Sequence, residues 1–146
     1  MVATVLNTAA RHGDEPLFDR MRAAAKQEKD EDIQWKLLSA LGLFQQPEIA
    51  KAGFYILLSD EFNVRQPISI LSVAHNSPKT RDLAYDFVKQ NWDALMGKFP
   101  TNWEAFMPFV ANSFCDEQHR HDAADFNTKS RRCQRAQVRV IPSRPG

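Results

Sequence analysis

The chain has 146 residues, 43% of them hydrophobic and 25% charged, with a formal net charge of +1, which suits a globular domain with a single core. Its 2 cysteines, Cys115 and Cys133, are too few and too far apart for a disulfide scaffold or a four-ligand zinc site. The longest uninterrupted apolar run, Phe54 to Leu58, is far short of a membrane span, and the start lacks the cationic and apolar stretches of a signal peptide, so the expectation is a cytoplasmic protein with no membrane partner.

Helical spacing is present from the first residues, through Val2, Val5, Leu6 and Ala9, without a cap before them, which implies a sequence that begins inside a helix of something longer. Gly13, Asp14 and Pro16 break that helix and open a second, with Asp14 as cap and Leu17, Met21, Ala24 and Ala25 as its stripe. The mixed charges of Lys26 to Asp32 form a solvated connection. Ile33, Leu37, Ala40, Leu41 and Phe44 mark a third helix, and Gln46-Pro47 opens a fourth through Ile49, Ala52, Gly53, Ile56 and Leu57. The segment from Gly53 to Leu58 suits a buried strand locally, but no other segment alternates or carries a hairpin signal, so it is assigned to helix.

Asp60 to Gln66 reads as a loop, and Pro67 opens a short helix with Ile68, Leu71 and Ala74. The stretch from Ser77 to Phe99 predicts one helix of about six turns, capped by Ser77 and stopped by Gly97 and Pro100. Its buried face is Ala84, Phe87, Val88, Trp92, Leu95, Met96 and Phe99. Thr101 and Glu104 fit a capping box for a helix through Trp103, Phe106, Met107, Val110 and Phe114, interrupted by Pro108. Asp116 caps a last helix with His119, Ala123 and Phe126.

Breaks near Gly13, Gln46, Ser77 and Asp116 recur at roughly thirty to forty residues, the period of stacked helix pairs. The predicted fold is all-α, an irregular α-solenoid of antiparallel pairs of the HEAT or armadillo kind, over residues 1–126. Residues 127–146 form a separate basic, irregular tail. All 18 acidic residues and 13 of the 19 basic ones lie in the first part; Lys129, Arg131, Arg132, Arg135, Arg139 and Arg144 lie in the second with no acid among them. Such a tail can attract nucleic acid electrostatically, but it has no aromatic residue for stacking, and nucleic acid is not the expected partner.

No H-E-x-x-H, P-loop, G-x-G-x-x-G or G-x-S-x-G occurs. His119 and His121 are two apart and point to different sides of a helix, so they do not clamp a metal, and no metal ligand is assigned. His12 and His75 fall near helix ends, where imidazole covers terminal carbonyls. The pairs Asp82/Asp86 and Asp30/Asp32 lie in charge-rich stretches without an apolar pocket to raise a pKa. No catalytic residue is assigned.

Three stretches taken together resemble a known family: DIQWKLLSALGLFQQPEIAKAGFYILLSDEFNVRQ, NSPKTRDLAYDFVKQNWDALMGKF and FVANSFCDEQHRHDAADF. The order Ala-Leu-Gly, Pro, Leu-Leu-Ser-Asp-Glu, Val-Arg-Gln, Asn-x-Pro and Ala-Tyr-Asp-Phe-Val-Lys-x-Asn-Trp-Asp is similar to the C-terminal helical domain of zinc aminopeptidases of the puromycin-sensitive, aminopeptidase N and endoplasmic-reticulum type. The resemblance implies HEAT-like or armadillo-like helix pairs in a noncatalytic domain that encloses the active-site cavity of its parent enzyme. It places zinc and catalysis in a preceding domain, the expected partner, so this chain should be inactive alone. It also implies a peptide substrate, for which Arg65 and Gln66 are the candidate cavity residues, since a loop cation can meet a peptide carboxylate. The family continues past Phe126 into another amphipathic helix, whereas this chain loses both apolar periodicity and acidic residues there, as a shifted reading frame or an artificial junction would produce. The alternative expectation is a stand-alone helical-repeat scaffold that binds a protein or peptide.

Overall fold

A computed structural model describes residues 2–63 and 65–98, together with helical pieces at 117–118, 121–122 and 124–125. The described residues contain helices and turns and no strand. The helices are α1 (Val2–Arg11), α2 (Glu15–Gln27), α3 (Glu31–Leu41), α4 (Pro47–Tyr55), α5 (Ile68–Ala74), α6 (Arg81–Gln90) and α7 (Trp92–Lys98), with a 3-10 turn at Ile56–Leu58 after α4. All of them lie in one compact unit, Met1–Trp103, and the helical pieces beyond lie in a second unit, Glu104–Gly146. None of the described helices is long and apolar enough to cross a membrane.

Local chemistry explains most of the boundaries. Asp14 caps α2 by accepting from the Leu17 N–H at 3.1 Å, and Asp30 caps α3 by accepting from Asp32 and Ile33, each worth about 1 kcal/mol. Pro47 opens α4 at a position where its missing N–H costs nothing. The segment Gly53 to Leu58 is helical, as its isolation from any possible sheet partner required.

The stretch from Ser77 departs from expectation. Ser77 does not cap a long helix; its carbonyl accepts from Thr80 and Arg81, making a turn that leads into α6. Thr80 stands at the N-cap position without capping, because its hydroxyl donates backwards to the Ala74 carbonyl at the end of α5. The helix is also divided at Asn91, whose backbone leaves helical geometry (φ −112°, ψ 20°) and whose side-chain amide shares the Phe87 carbonyl with the ordinary helical bond from its own N–H, the local competition for backbone acceptors that makes Asn a poor interior helix residue. Two helices, α6 and α7, therefore replace one.

The core is built where α3 and α5 meet their neighbours. Leu38, Leu41, Phe44, Phe54, Ile56, Ile70, Leu71 and Val88 are fully or almost fully buried, and Phe18 meets Phe44 edge-on with ring centroids 5.3 Å apart. On α2 the buried stripe is Phe18, Met21 and Ala25, with Leu17 and Ala24 rotated outward. On α3 it is Leu37, Leu38, Ala40 and Leu41, leaving Ile33 exposed and Trp35 half-exposed, while Trp92 is buried. The predicted Trp103 helix, Cys115, Cys133 and the basic tail lie outside the described residues.

Candidate functional site

The loop that follows the 3-10 turn carries both cavity candidates. Its entry is fixed by Ser59, whose N–H and hydroxyl both donate to the Ile56 carbonyl, at 3.2 and 2.8 Å. Phe62 is buried and anchors the middle, and Pro67 is buried at the exit. Between them, the Gln66 N–H donates to the Asn63 carbonyl at 2.9 Å. The Gln66 carbonyl accepts from the Ser69 hydroxyl at 3.0 Å and starts α5. Gln66 is thus half-buried and engaged through its backbone, whereas Arg65 is exposed. Among the described residues no carboxylate lies within ion-pair distance of Arg65.

The same loop has two acids, and both are taken by cations from elsewhere. Arg22 on α2 grips Glu61 with two of its three guanidinium nitrogens, Nε donating to Oε2 at 3.1 Å and Nη2 to Oε1. Lys98 on α7 donates to the Ser59 carbonyl at 3.0 Å and to Asp60 Oδ1 at 2.7 Å. The hydrogen bond from Arg22 holds the Glu61 carboxyl below its ordinary value, against the opposing effect of partial burial. Lys98 does the same for Asp60, again chiefly through its hydrogen bond. The two contacts differ in weight. Glu61 is mostly covered, while the Asp60 side chain is fully exposed, so the Lys98 ion pair contributes little and its bond to the Ser59 carbonyl matters more.

Sequence reasoning singled out Arg65 and Gln66 but missed Arg22, Glu61, Asp60 and Lys98. The partners are 38 and 39 residues apart, and only the helix-pair period hinted that α2 and α7 return to this loop. Elsewhere the sequence reading of the histidines holds at His75, where the buried imidazole Nδ1 meets the Leu71 carbonyl at 3.1 Å at the end of α5. Asp30 serves as a cap, and Asp82 and Asp86 are exposed.

A cleft of about 390 Å³ lies away from that loop, lined by Arg11, Leu43, Gln45, Val73, Asn76, Ser77, Pro78 and Lys79. Lys79 donates to Gln45 Oε1 at 2.8 Å and Asn76 to the Ser72 carbonyl. Arg11 occupies the last turn of α1, where a cation complements the carbonyl end of the helix. These polar groups serve the turns between helices.

Residues 1–140 match the family described as the ERAP1-like C-terminal domain. The chain belongs to that family. As an ERAP1-like C-terminal domain it is a noncatalytic domain of an aminopeptidase, and the match takes in α1 to α7 and the Asp60–Gln66 loop. The zinc implied for such an enzyme finds no set of ligands here: among the described residues no three His, Cys, Asp or Glu side chains are grouped so as to hold a metal. What this ERAP1-like domain presents is a structured loop with an exposed guanidinium and two engaged carboxylates.

Proposed function

We propose that this domain encloses the active-site cavity of a zinc-dependent aminopeptidase, packed against an N-terminal catalytic domain, and that Arg65 and Gln66 help to hold the far end of a peptide substrate. The observation that carries the reading is the family match over residues 1–140, joined to an exposed Arg65 on a loop fixed at both ends. A guanidinium presents a planar fork of donors to a carboxylate. Zinc and the reacting groups belong to the catalytic domain. This domain's share is positioning and exclusion of bulky substrates.

An α-solenoid of antiparallel pairs fits this role, because stacking such pairs makes a curved inner surface. Two observations support it. Helices two apart in sequence touch, α1 with α3, α3 with α5, and α4 with α6. The turns are also linked in series: Gln46 donates to the Gly13 carbonyl 33 residues earlier and Lys79 to Gln45 across 34 residues.

The test joins genetics to enzymology. An in-frame H-E-x-x-H upstream of residue 1 is expected in the gene. The catalytic part, assayed with and without this domain, should still cleave single aminoacyl reporters but lose its discrimination between short and bulky peptides when the domain is removed. Zinc-dependent turnover by the 146-residue chain alone would overturn the proposal. So would a gene whose own ribosome-binding site precedes Met1 without any catalytic reading frame, which is the outcome expected of a stand-alone scaffold.

A further inference from the structure

Asp60, Glu61 and Arg65 share one loop. Taken alone that loop is net negative, and its two carboxylates, four and five residues before Arg65, are the nearest acids to it in sequence. An exposed arginine between helices ordinarily finds such a neighbour, and the resulting pair no longer attracts an external anion. Here each carboxylate is turned to a different cation. Glu61 is held by two guanidinium nitrogens of Arg22 from α2, and Asp60 by Lys98 from α7. Adding Arg22 and Lys98 reverses the local balance to net positive; Arg65 is the exposed cation of the group, and the exposed Asp60 is engaged by Lys98.

We infer that Arg22 and Lys98 are specificity-determining positioning residues: they engage the loop's own carboxylates, Glu61 under cover and Asp60 at the surface, so that the Arg65 guanidinium stays available to the anionic end of a bound peptide. The inference rests on the proposed role of Arg65 and adds to it a reason for the charged residues around it. The two anchors come from helices on either side of the loop in sequence. Both tie the loop to the helical body, Arg22 through Glu61 and Lys98 through the Ser59 carbonyl as well as Asp60. Removing either cation leaves the backbone loop in place, held by Phe62, Ser59 and the Gln66 turn, but frees a carboxylate to compete for Arg65.

That charge logic separates masking from simple loss of structure. The 146-residue chain is titrated with a fluorescent decapeptide bearing a free C-terminal carboxylate and with its C-terminally amidated twin, and the ratio of the two affinities is read. The unaltered chain should prefer the carboxylate by about two- to fivefold, the size expected of one solvent-exposed charge pair. Arg65→Gln should bring the ratio to one. Lys98→Met and Arg22→Met should each lower it, and Lys98→Met/Asp60→Asn and Arg22→Met/Glu61→Gln should restore it, because the competing carboxylate is gone although the contact stays broken. Equal binding of both peptides by the unaltered chain overturns the Arg65 reading and this inference with it. A carboxylate preference that Arg65→Gln abolishes but neither Met variant changes overturns the inference alone. Single variants whose loss is not restored in the double variants show that Arg22 and Lys98 merely hold the loop, which also overturns it. Circular dichroism of each variant establishes that it is folded before its ratio is compared.

Discussion

Arg22 and Glu61 are joined across 39 residues by a two-nitrogen, two-oxygen contact that fastens α2 to the loop before α5. The contact replaces nothing that secondary structure supplies; it is a tertiary tie between a helix and the backbone that follows the next pair. Because the bond from Arg22 lowers the Glu61 pKa from its ordinary 4.5, Glu61 binds protons more weakly in the folded chain than in the unfolded one. Its contribution is therefore fully present above about pH 4.5, set by the unfolded value, and is lost as pH falls through the lower folded value. Urea midpoints measured from pH 7 down to pH 3 should show the unaltered chain losing its advantage over Glu61→Gln across that acid range. A constant gap between the two at all pH values would contradict the assignment.

A close approach between α3 and α5 sets a different constraint. At Gly42 an added Cβ would meet the carbonyl oxygen of Ile70 well inside contact distance and its carbonyl carbon at 3.1 Å. The backbone there is ordinary right-handed helix, φ −72° and ψ −8°, so the requirement for glycine is one of space. Gly42→Ala should destabilise the chain by about 1–3 kcal/mol, the range for overpacking a close-fitted core. Gly53 is the control. Its added Cβ would find neighbours no nearer than 3.5 Å, so Gly53→Ala should be neutral or stabilising by up to about 1 kcal/mol through helix propensity. Thermal denaturation of the pair distinguishes crowding at one site from a general sensitivity to glycine replacement.

Particular residues show which parts of this architecture are written locally. Asp14, Asp30 and Pro47 act through neighbours within three residues, and the elements they open are where the sequence places them. The Ser77 stretch misleads because two tertiary or competing bonds decide it: the Thr80 hydroxyl turns back to Ala74, and Asn91 takes the Phe87 carbonyl twice. Neither bond leaves a mark in the apolar period, which runs on through both helices. On α3 the predicted stripe is buried at Leu37, Ala40 and Leu41, and the partners of the helix, namely α1, α2 and α5, add Leu38 to it and leave Ile33 at its N-terminal end exposed. At the candidate site, Arg65 was legible as a loop cation. The fate of the nearby acids was not, because it depends on helices that are far away in sequence and close in space.

Thr80 offers a direct measure of the bond that cuts the Ser77 stretch short. Its hydroxyl is buried and donates to the Ala74 carbonyl at 2.8 Å. Thr80→Val keeps the shape and removes the donor, so it should cost about 1–2 kcal/mol, the range for breaking one buried hydrogen bond. Thr80→Ser retains the hydroxyl and should recover most of that loss. Equal destabilisation by both substitutions, read from urea unfolding, would assign the effect to packing of the methyl group.

The orientation of α3 is tested by replacing residues on its two faces. Leu38 is fully buried, on a helix that touches α1, α2 and α5 at once, and three neighbours cannot all collapse into the space that a truncated side chain leaves. Leu38→Ala should therefore cost about 2–5 kcal/mol, combining lost burial with a residual cavity. Trp35 has the larger side chain, yet it is 45% exposed. Trp35→Ala should cost about 1 kcal/mol or less, as substitutions outside the packed core generally do. The order of the two losses in urea unfolding decides the rotation of the helix: a greater loss at Trp35 than at Leu38 would turn the buried face of α3 toward Trp35 and carry Ile33, which lies nearly opposite Trp35 on the helix, further outward.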